Sequence, residues 1–227
     1  MARDLQDASV VVVGATGGIG RELARRLHER GARLTLAGRD ADRIAGLGLP
    51  HPGVTADLRD ADAGTTVVRA ALDAHGRIDG VVNAVGVVAF GNLIDTDPVV
   101  IEELFLVNTL GALWLAQAAI PALQEQRGFL CNVSAVVAEQ PLPGMAAYAA
   151  SKAALTAADA AIRRELRRVG IHVLDARPPH TETELAHHPI GGTAPKLPTG
   201  LDPGAVAERI VVAIEADEPD LPSDAFA

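Results

Sequence analysis

The stretch that decides the fold is residues 11–20, VVVGATGGIG. A run of valines is followed by glycines at Gly14, Gly18 and Gly20, in the spacing G-x-x-x-G-x-G, and residues 20–30 then have the apolar spacing of a helix. A strand, a tight glycine turn and a helix N-terminus in this order let the backbone approach a phosphate group, which the free N–H groups and the helix dipole attract. The stretch therefore predicts a nucleotide-binding turn, with contacts from Gly14, Thr16, Gly17, Gly18, Ile19 and Gly20.

Strands and helices alternate along the rest of the chain. Strands are predicted at residues 9–13, 33–37, 54–56, 80–84, 128–133 and 171–175, and the tail 217–227 leaves room for one more. Helices are predicted at residues 20–30, 61–75, 98–126 with a kink at Pro121, 144–168 and 203–216. The pattern predicts an α/β fold: one Rossmann-type domain over residues 1–227, with a doubly wound parallel sheet and helices on both faces. The proline- and glycine-rich stretch 178–201 predicts a substrate loop.

Composition narrows the classes of function. The chain has 227 residues, a net charge of −9 and 3% aromatic residues, so a nucleic-acid or anionic-membrane surface is not expected. Residues 1–8 are too polar for a signal peptide, and no apolar run reaches the length expected of a membrane span. A single cysteine, Cys131, favours a cytoplasmic location. His180, His187 and His188 match no metal motif, so no metal is predicted.

The end of the second predicted strand bears on which nucleotide is bound. An acidic residue there would accept a hydrogen bond from a ribose 2′-hydroxyl and repel a 2′-phosphate. This chain has Gly38 followed by Arg39, whose guanidinium can pair with a 2′-phosphate in a forked geometry. Asp40 weakens that attraction. The prediction is NADP, with NAD less favoured.

A tyrosine and a lysine stand four residues apart on the predicted helix 144–168. Tyr148 and Lys152 therefore share one helix face. A nearby ammonium group stabilises a phenolate and lowers the pKa of the phenol, which would let Tyr148 exchange a proton with a carbonyl or alcohol oxygen. This spacing alone is weak evidence, because it often occurs by chance.

Several motifs in a fixed order strengthen that interpretation. After the glycine turn come Asp57-Leu58, NAVG at residues 83–86, Asn108 in VNTLGA, and YAASK at residues 148–152. Together they resemble the short-chain dehydrogenase/reductase family over residues 10–185. The resemblance implies an oxidoreductase that interconverts a carbonyl compound and an alcohol with a nicotinamide cofactor, and the substrate is expected to be a small or lipid-like carbonyl compound. It also implies a homodimer or homotetramer packed through the two long helices.

The resemblance assigns roles to particular residues. It implies that Asp57 binds the adenine, that Lys152 also binds the nicotinamide ribose, and that Asn108 holds a water for proton relay. The cofactor contacts implied beyond the glycine turn and Arg39 are Asp57, Leu58, Asn83, Ala84, Gly86, Tyr148, Lys152, Pro178, Thr181 and Thr183. The family's Pro-Gly is Pro178-Pro179 here, which removes a backbone N–H at the nicotinamide end.

One departure affects the chemistry directly. The position of the family's catalytic serine holds Ala135, and Ser134 precedes it. Neighbouring side chains on a strand point to opposite faces, so Ser134 is a catalytic candidate only if the chain bends there. His180, Thr181 or a water are the other candidates for the missing donor. Loss of one such donor costs about a hundredfold or more in rate.

Two further hypotheses follow from this region. The first is a different class of function: a nucleotide-binding redox sensor, catalytically weak or inactive, that acts through a protein partner. Ala135 favours it, whereas the retention of Asn108, Tyr148 and Lys152 favours the enzyme. The second concerns Glu139, which is expected to be a solvent-facing loop acid.

Overall fold

A seven-stranded, all-parallel sheet forms the centre of the computed structural model, which describes residues 3–226. The strand order is β3-β2-β1-β4-β5-β6-β7. The chain crosses over between β1 and β4, which is the switch point of a doubly wound sheet. The predicted fold class is confirmed. The strands are β1 (Ser9–Val13), β2 (Arg33–Gly38), β3 (Gly53–Thr55), β4 (Gly80–Asn83), β5 (Phe129–Val133), β6 (His172–Ala176) and β7 (Asp220–Leu221).

Helices cover both faces of the sheet, because the central strands are apolar on both sides. One face is covered by α1 and α7, which pack against each other, and the other by α3, α5 and α6. The helices are α1 (Gly18–Glu29), α2 (Ala41–Ala45), α3 (Ala63–His75), α4 (Pro98–Phe105), α5 (Gly111–Gln126), α6 (Ala146–Leu166) and α7 (Pro203–Glu215).

Local sequence explains where the helices begin. The Asp97 carboxylate accepts a hydrogen bond from the Val99 N–H at the start of α4, and the Asp202 carboxylate caps α7 in the same way. Each helix then has a proline at its first position, where no intrahelical N–H is needed. The short helix α2 was not predicted. Its N-cap is Asp40, whose carboxylate accepts a hydrogen bond from the Arg43 N–H.

The predicted helix 98–126 is interrupted at a different place from the one expected. Residues Leu106–Leu110 form a π-helical turn between α4 and α5, whereas Pro121 lies inside a continuous α5. A π-helical turn inserts one residue into the helix and is often found at functional sites. Here it holds Asn108, which faces the site described below.

The same segment bears on the expectation that no run reaches membrane-spanning length. Residues Pro98–Gln126 form a helical segment of 29 residues in which an 18-residue window has a mean hydropathy of 1.7, so the segment is long and apolar enough to cross a membrane. Part of its apolar surface, including Leu115, Ala119 and Leu123, is buried against the sheet and α3, whereas Val99 and Leu110 are exposed. A core helix meets the same length and composition criteria, so the segment is weak evidence for a membrane span.

Three histidines lie beside β2, where it extends past the short strand β3. The Leu34 N–H donates to His51 Nδ1 at 3.3 Å, and His75 Nε2 lies 3.1 Å from the Leu34 carbonyl. His51 Nε2 is 3.0 Å from His28 Nδ1. Burial, and then the nearby His28 and His75, lower the pKa of His51. His51 therefore contributes to the fold as a neutral acceptor.

This arrangement predicts a pH-dependent stability. A lowered pKa in the folded state means that the unfolded chain binds more protons, so stability should fall as the pH drops below about 6.5. His51→Asn keeps an acceptor near the Leu34 N–H but does not titrate. Thermal melts at pH 7.5 and 5.5 should show a loss of melting temperature on acidification that is smaller in the variant by about 2 °C. The exposed His187→Gln serves as the matched control, and equal losses in all three proteins would contradict the prediction.

Candidate active site

The glycine turn joins β1 to α1 at the carboxyl edge of the sheet. Gly14 has φ +81°, and a Cβ there would come within 2.9 Å of the Ala84 carbonyl carbon. A Cβ on Gly20 would lie 2.0 Å from the Gly14 oxygen, so no side chain fits at either position. Gly17 is the N-cap of α1 and supplies no side-chain cap, so the N–H groups of the first turn remain available. The cradle fits a phosphate group of a dinucleotide.

The residues expected to read the 2′-position lie beside this turn. Arg39 is exposed and makes no hydrogen bond within residues 3–226. Asp40, which was expected to weaken its attraction, uses its carboxylate to cap α2. Arg43 was missed by the sequence argument, and its Nη2 donates to the Thr16 carbonyl at 3.2 Å. A cavity of about 350 Å³ opens here, lined by Thr16, Arg21, Arg25, Arg43, Gly46 and Leu47.

The residues assigned to the adenine end are held by neighbours. Arg59 donates from Nη1 to the Asp57 carboxylate at 3.0 Å and also pairs with Glu103. The Asp57 carboxylate therefore already has a cationic partner, Arg59. The prediction that Asp57 binds the adenine did not include this partner. Leu58 is buried and lies against Gly111, where a Cβ would come within 2.5 Å of the Leu58 oxygen.

A row of polar side chains crosses the sheet below the site. Asn83, Asn132, Asp175 and Asp220 stand in register on β4, β5, β6 and β7. The Asn83 amide donates to Asn132 at 3.1 Å, and the Asn132 amide donates to Asp159 of α6 at 2.7 Å. Burial, and then Asp175, raise the pKa of Asp159 to about 8. The Asp159 carboxyl group is therefore harder to ionise than an exposed one.

Asn83, the β4 member of this row, is also the first residue of the NAVG segment. The Asn83 Oδ1 accepts from the Val85 N–H at 3.1 Å, which fixes the turn that contains Ala84. A Cβ on Gly86 would lie 3.2 Å from Lys152 Nζ and 3.4 Å from Asn108 Oδ1. Gly86 therefore lies beside two of the predicted catalytic residues, with its backbone open toward them.

Asn108 ties the π-helical turn to its surroundings. Its side chain accepts from the Val87 N–H and donates to the Val87 carbonyl, both at 2.9 Å. The same amide also donates to Ser151 Oγ at 3.0 Å, and Asn108 is 1% exposed. These bonds use both amide hydrogens and one lone pair of Oδ1, so any water that Asn108 held would have to donate to the remaining lone pair of Oδ1 or bind the backbone.

Tyr148 and Lys152 lie together on α6, and both are buried. Lys152 Nζ donates to the Val133 carbonyl at 2.9 Å. Burial lowers the pKa of Lys152 to about 8, although Asp175 and Asp159 oppose this. Burial raises the pKa of the Tyr148 phenol above its ordinary value. In this arrangement the ammonium group is turned toward the Val133 carbonyl and burial acts against ionisation of the phenol, so the lowering of its pKa by Lys152 stays a prediction.

Ser134 does not take the place of the missing hydroxyl in this structure. Its Oγ donates to the Lys152 carbonyl at 3.2 Å and lies 3.2 Å from Thr156 Oγ1. Both partners belong to α6, so the side chain is bound to the helix and 4% exposed. This geometry argues against a catalytic role for Ser134. Ala135, at the family's serine position, packs instead against the apolar cluster that contains Tyr148.

The predicted substrate loop begins directly after β6. The Pro178 carbonyl accepts from the Val136 N–H at 3.0 Å, and Thr181 Oγ1 donates to the Pro179 carbonyl at 2.9 Å. Thr183 lies against the glycine turn, because a Cβ on Gly18 would come within 2.5 Å of its Cγ2. Thr183 is thus adjacent to the phosphate cradle, whereas the Thr181 hydroxyl is bound within the loop.

Glu139 is an exposed loop residue, as expected, but its carboxylate is not free. Its carboxylate pairs with Arg177 and accepts from Ser223 Oγ at 2.6 Å. Arg177 also pairs with Asp175 at 2.5 Å and with Asp220 at 2.7 Å. These partners were not predicted, because they come from the residue after β6 and from the C-terminal tail, which are remote in sequence. Glu139 is therefore part of a charge network and not a free acid near Tyr148.

Sequence comparison agrees with this arrangement. The family model described as short chain dehydrogenase matches residues 8–189. A dehydrogenase/reductase SDR family member 7B of Danio rerio is 33% identical, over 93% of this chain and 75% of that protein. An uncharacterized oxidoreductase of Staphylococcus epidermidis is 29% identical, over 92% of each chain. The chain belongs to the short-chain dehydrogenase/reductase family of oxidoreductases.

Solved structures share the fold. A short chain dehydrogenase from Burkholderia cenocepacia in complex with NADP superposes with a TM-score of 0.87 at 24% identity, over 97% of this chain and 90% of that one. A 3-ketoacyl-(acyl-carrier-protein) reductase from Brucella melitensis complexed with NADH gives a TM-score of 0.86 at 24% identity, over 98% of this chain and all of that one. At this identity the likeness establishes the fold.

Proposed function

We propose that the protein is an NADP(H)-dependent oxidoreductase that interconverts a carbonyl compound and an alcohol, with Tyr148 as the acid/base. The observation that carries the proposal is the meeting of the glycine cradle, Gly86, Asn108, Tyr148 and Lys152 at one edge of the sheet. Both NADP-bound and NADH-bound relatives share this fold, which supports a nicotinamide cofactor.

Each part of the chain has a task in this reaction. The bound nicotinamide supplies or accepts the hydride. The glycine cradle and the first turn of α1 hold the phosphates, and Lys152 and Asn108 flank Gly86 on the nicotinamide side. Tyr148 gives its proton to the carbonyl oxygen during reduction or takes one from the alcohol during oxidation. A phenol is protonated at neutral pH and can therefore donate, whereas burial, which raises its pKa, makes it a weaker acid.

The preference for NADP rests on the arginines beside Thr16. Arg39 and Arg43 present guanidinium groups near the glycine turn, and the Asp40 carboxylate is used in capping α2. Three of the six residues that line the neighbouring cavity are arginines, and none is acidic. A 2′-phosphate there would gain charge-assisted hydrogen bonds that a 2′-hydroxyl cannot make.

Arg39→Ala and Arg43→Ala are each expected to raise the KM for NADPH by about 10-fold or more and to leave the KM for NADH nearly unchanged, because a hydrogen bond to a charged group contributes about 1.5–3 kcal/mol. Steady-state kinetics with both cofactors measures this. Arg168→Ala is the matched control, since Arg168 is exposed at the opposite edge of the sheet. If the preference for NADPH over NADH is the same in both variants as in the Arg168→Ala control, these arginines do not bind the 2′-phosphate.

The alternative function is a redox sensor that binds the nucleotide without significant turnover. The specific observation in its favour is the alanine at position 135, where the family has its hydroxyl. The two functions differ in turnover and in the response to a protein partner. The sensor binds NADPH but does not oxidise it with any carbonyl compound, and its affinity for a protein partner changes with the oxidation state of the cofactor.

A further inference from the structure

The surroundings of Tyr148 are apolar. Its ring belongs to a third hydrophobic cluster, separate from the two that cover the faces of the sheet. The buried members besides Tyr148 are Val88, Ala89, Phe90, Leu104, Val137 and Ala149. The partly buried members are Val87, Val100, Ala135, Val136, Met145, Ala147, Ala186, Ile190 and Ala194. A substrate whose carbonyl oxygen reaches Tyr148 must therefore lie among hydrocarbon side chains.

Backbone hydrogen bonds close this cluster on the side of the substrate loop. The Phe90 N–H donates to the Gly191 carbonyl, and the Ile190 N–H donates to the Val88 carbonyl, both at 2.9 Å. The Gly91 N–H donates to the Gly144 carbonyl at 2.8 Å. These bonds hold three segments around Tyr148: residues after β4, residues before α6, and the substrate loop.

Charged side chains on these segments are engaged elsewhere or face solvent. Glu139 is held by Arg177 and Ser223, as described above. Glu182 accepts from the Gly200 N–H at 2.6 Å. Glu184, whose side chain is 80% exposed, lies near His187 and His188 at the surface. A carboxylate or phosphate on the substrate would lose hydration in the cluster without gaining a partner there.

The same three segments also expose large apolar side chains at the surface. Ile94 is 92% exposed and Leu93 is 58% exposed, shortly after Phe90. Leu142 precedes Met145, and Leu185 adjoins Ala186 in the substrate loop. Both are exposed large hydrophobic residues. We call Leu93, Ile94, Leu142 and Leu185 the apolar rim. Its position on the segments that surround Tyr148 suits a substrate with a hydrocarbon tail.

The missing hydroxyl at position 135 limits which class of carbonyl compound can be reduced. In place of the family's donor, position 135 offers only a methyl group, and the nearby Ser134 hydroxyl is bound to α6. The neighbouring Val136 N–H is also used, since it donates to the Pro178 carbonyl. With one polarising donor fewer, hydride transfer to an unreactive ketone is slowed by about a hundredfold or more. An aldehyde carbon is less hindered and accepts hydride more readily.

We propose that the substrate is an uncharged, apolar aldehyde, a proposal that rests on the function given above. When bound, the reduced nicotinamide would supply the hydride: one of its C–H bonds would break, the aldehyde carbon would gain a C–H bond, and the C=O π-electrons would move to oxygen. That oxygen takes the Tyr148 proton, and solvent restores the proton to the phenol. The products are a primary alcohol and the oxidised cofactor.

A matched set of aromatic carbonyl compounds tests the class of substrate. NADPH oxidation is followed with 4-methylbenzaldehyde, 4-carboxybenzaldehyde and 4-methylacetophenone, with Tyr148→Phe as the background. We expect kcat/KM for 4-methylbenzaldehyde to exceed that of both others by about a hundredfold. The aldehyde group of the carboxylate compound is intrinsically more reactive than that of the methyl compound. A preference for the methyl compound would therefore come from the apolar surroundings of the binding site and not from intrinsic reactivity. Equal or better use of either other compound overturns the proposal and leaves the proposed function intact. Failure of all three, with no NADPH oxidised above the background, counts against both.

The rim is tested separately with a longer substrate. Ile94→Asp changes a side chain that is 92% exposed, so folding should be unaffected. The KM for decanal should rise by about threefold to tenfold, because part of the hydrocarbon chain loses its apolar contact. The KM for 4-methylbenzaldehyde, which is too short to reach the rim, should not change. An unchanged KM for decanal overturns the assignment of the rim to the substrate.

Discussion

Replacing Tyr148 with phenylalanine should lower kcat for carbonyl reduction by about a thousandfold, because general acid catalysis typically contributes 10²–10⁴ in rate. The change removes one hydroxyl and keeps the ring, which packs in the cluster with Phe90 and Val137. The phosphate cradle and Lys152 are untouched, so the dissociation constant for NADPH should stay within about threefold. Pre-steady-state NADPH oxidation and cofactor titration measure the two quantities separately. A variant that retains full turnover would remove Tyr148 from the reaction.

The chain offers a direct measurement of the same group. Tyr148 is the only tyrosine among the 227 residues, so an ultraviolet titration of phenolate reports its pKa alone. Because burial raises that pKa, the phenol of the protein without nucleotide should titrate above the ordinary value near 10. A pKa below that value would show that Lys152 dominates over burial. The prediction that Lys152 lowers the pKa of Tyr148 would then be confirmed.

Adding the missing hydroxyl should have the opposite effect on rate. Ala135→Ser is expected to raise kcat for ketone reduction by about a hundredfold, the size of effect seen when one donor to a developing oxyanion is removed. Ala135 is only partly buried and packs beside Tyr148, so a serine oxygen can be accommodated facing the substrate. The gain should be greatest for ketones, which depend most on polarisation of the carbonyl.

The double variant Ala135→Ser, Tyr148→Phe controls for indirect effects. If the new hydroxyl assists proton transfer from Tyr148, the gain disappears when the phenol is removed. A gain that survives in the double variant would mean that the serine acts by itself. No gain in the single variant would show that another group already polarises the carbonyl.

Much of the fold could be predicted because local signals agree with the global arrangement. The valine run, the glycine turn and the spacing of Leu23 and Leu27 in α1 all indicate one strand–turn–helix unit. The caps Asp97 and Asp202, each followed by proline, placed the starts of α4 and α7 correctly. These features depend on residues close together in sequence, and sequence patterns report such neighbours well.

The features that were missed depend on contacts between remote segments. Arg43 acts near Thr16 only because a short helix follows β2, and the sequence signal for it was a single capping aspartate. Glu139 finds its partners in Arg177 and Ser223, far along the chain. The pKa of Tyr148 likewise depends on burial by the substrate loop and neighbouring segments. The spacing of Tyr148 and Lys152 carries no information about that burial.

The most direct test of the central claim is a single-turnover measurement with the unmodified protein in excess over NADPH, after cofactor binding has been verified by fluorescence. An apolar aldehyde is added, and the absorbance of NADPH is followed. An oxidoreductase that uses Tyr148 should consume the bound NADPH completely and form an equivalent amount of alcohol, and Tyr148→Phe should leave most of the cofactor reduced over the same time. If the unmodified protein binds NADPH but consumes none, and Ala135→Ser also consumes none, the protein is not the proposed enzyme and the redox sensor becomes the leading hypothesis.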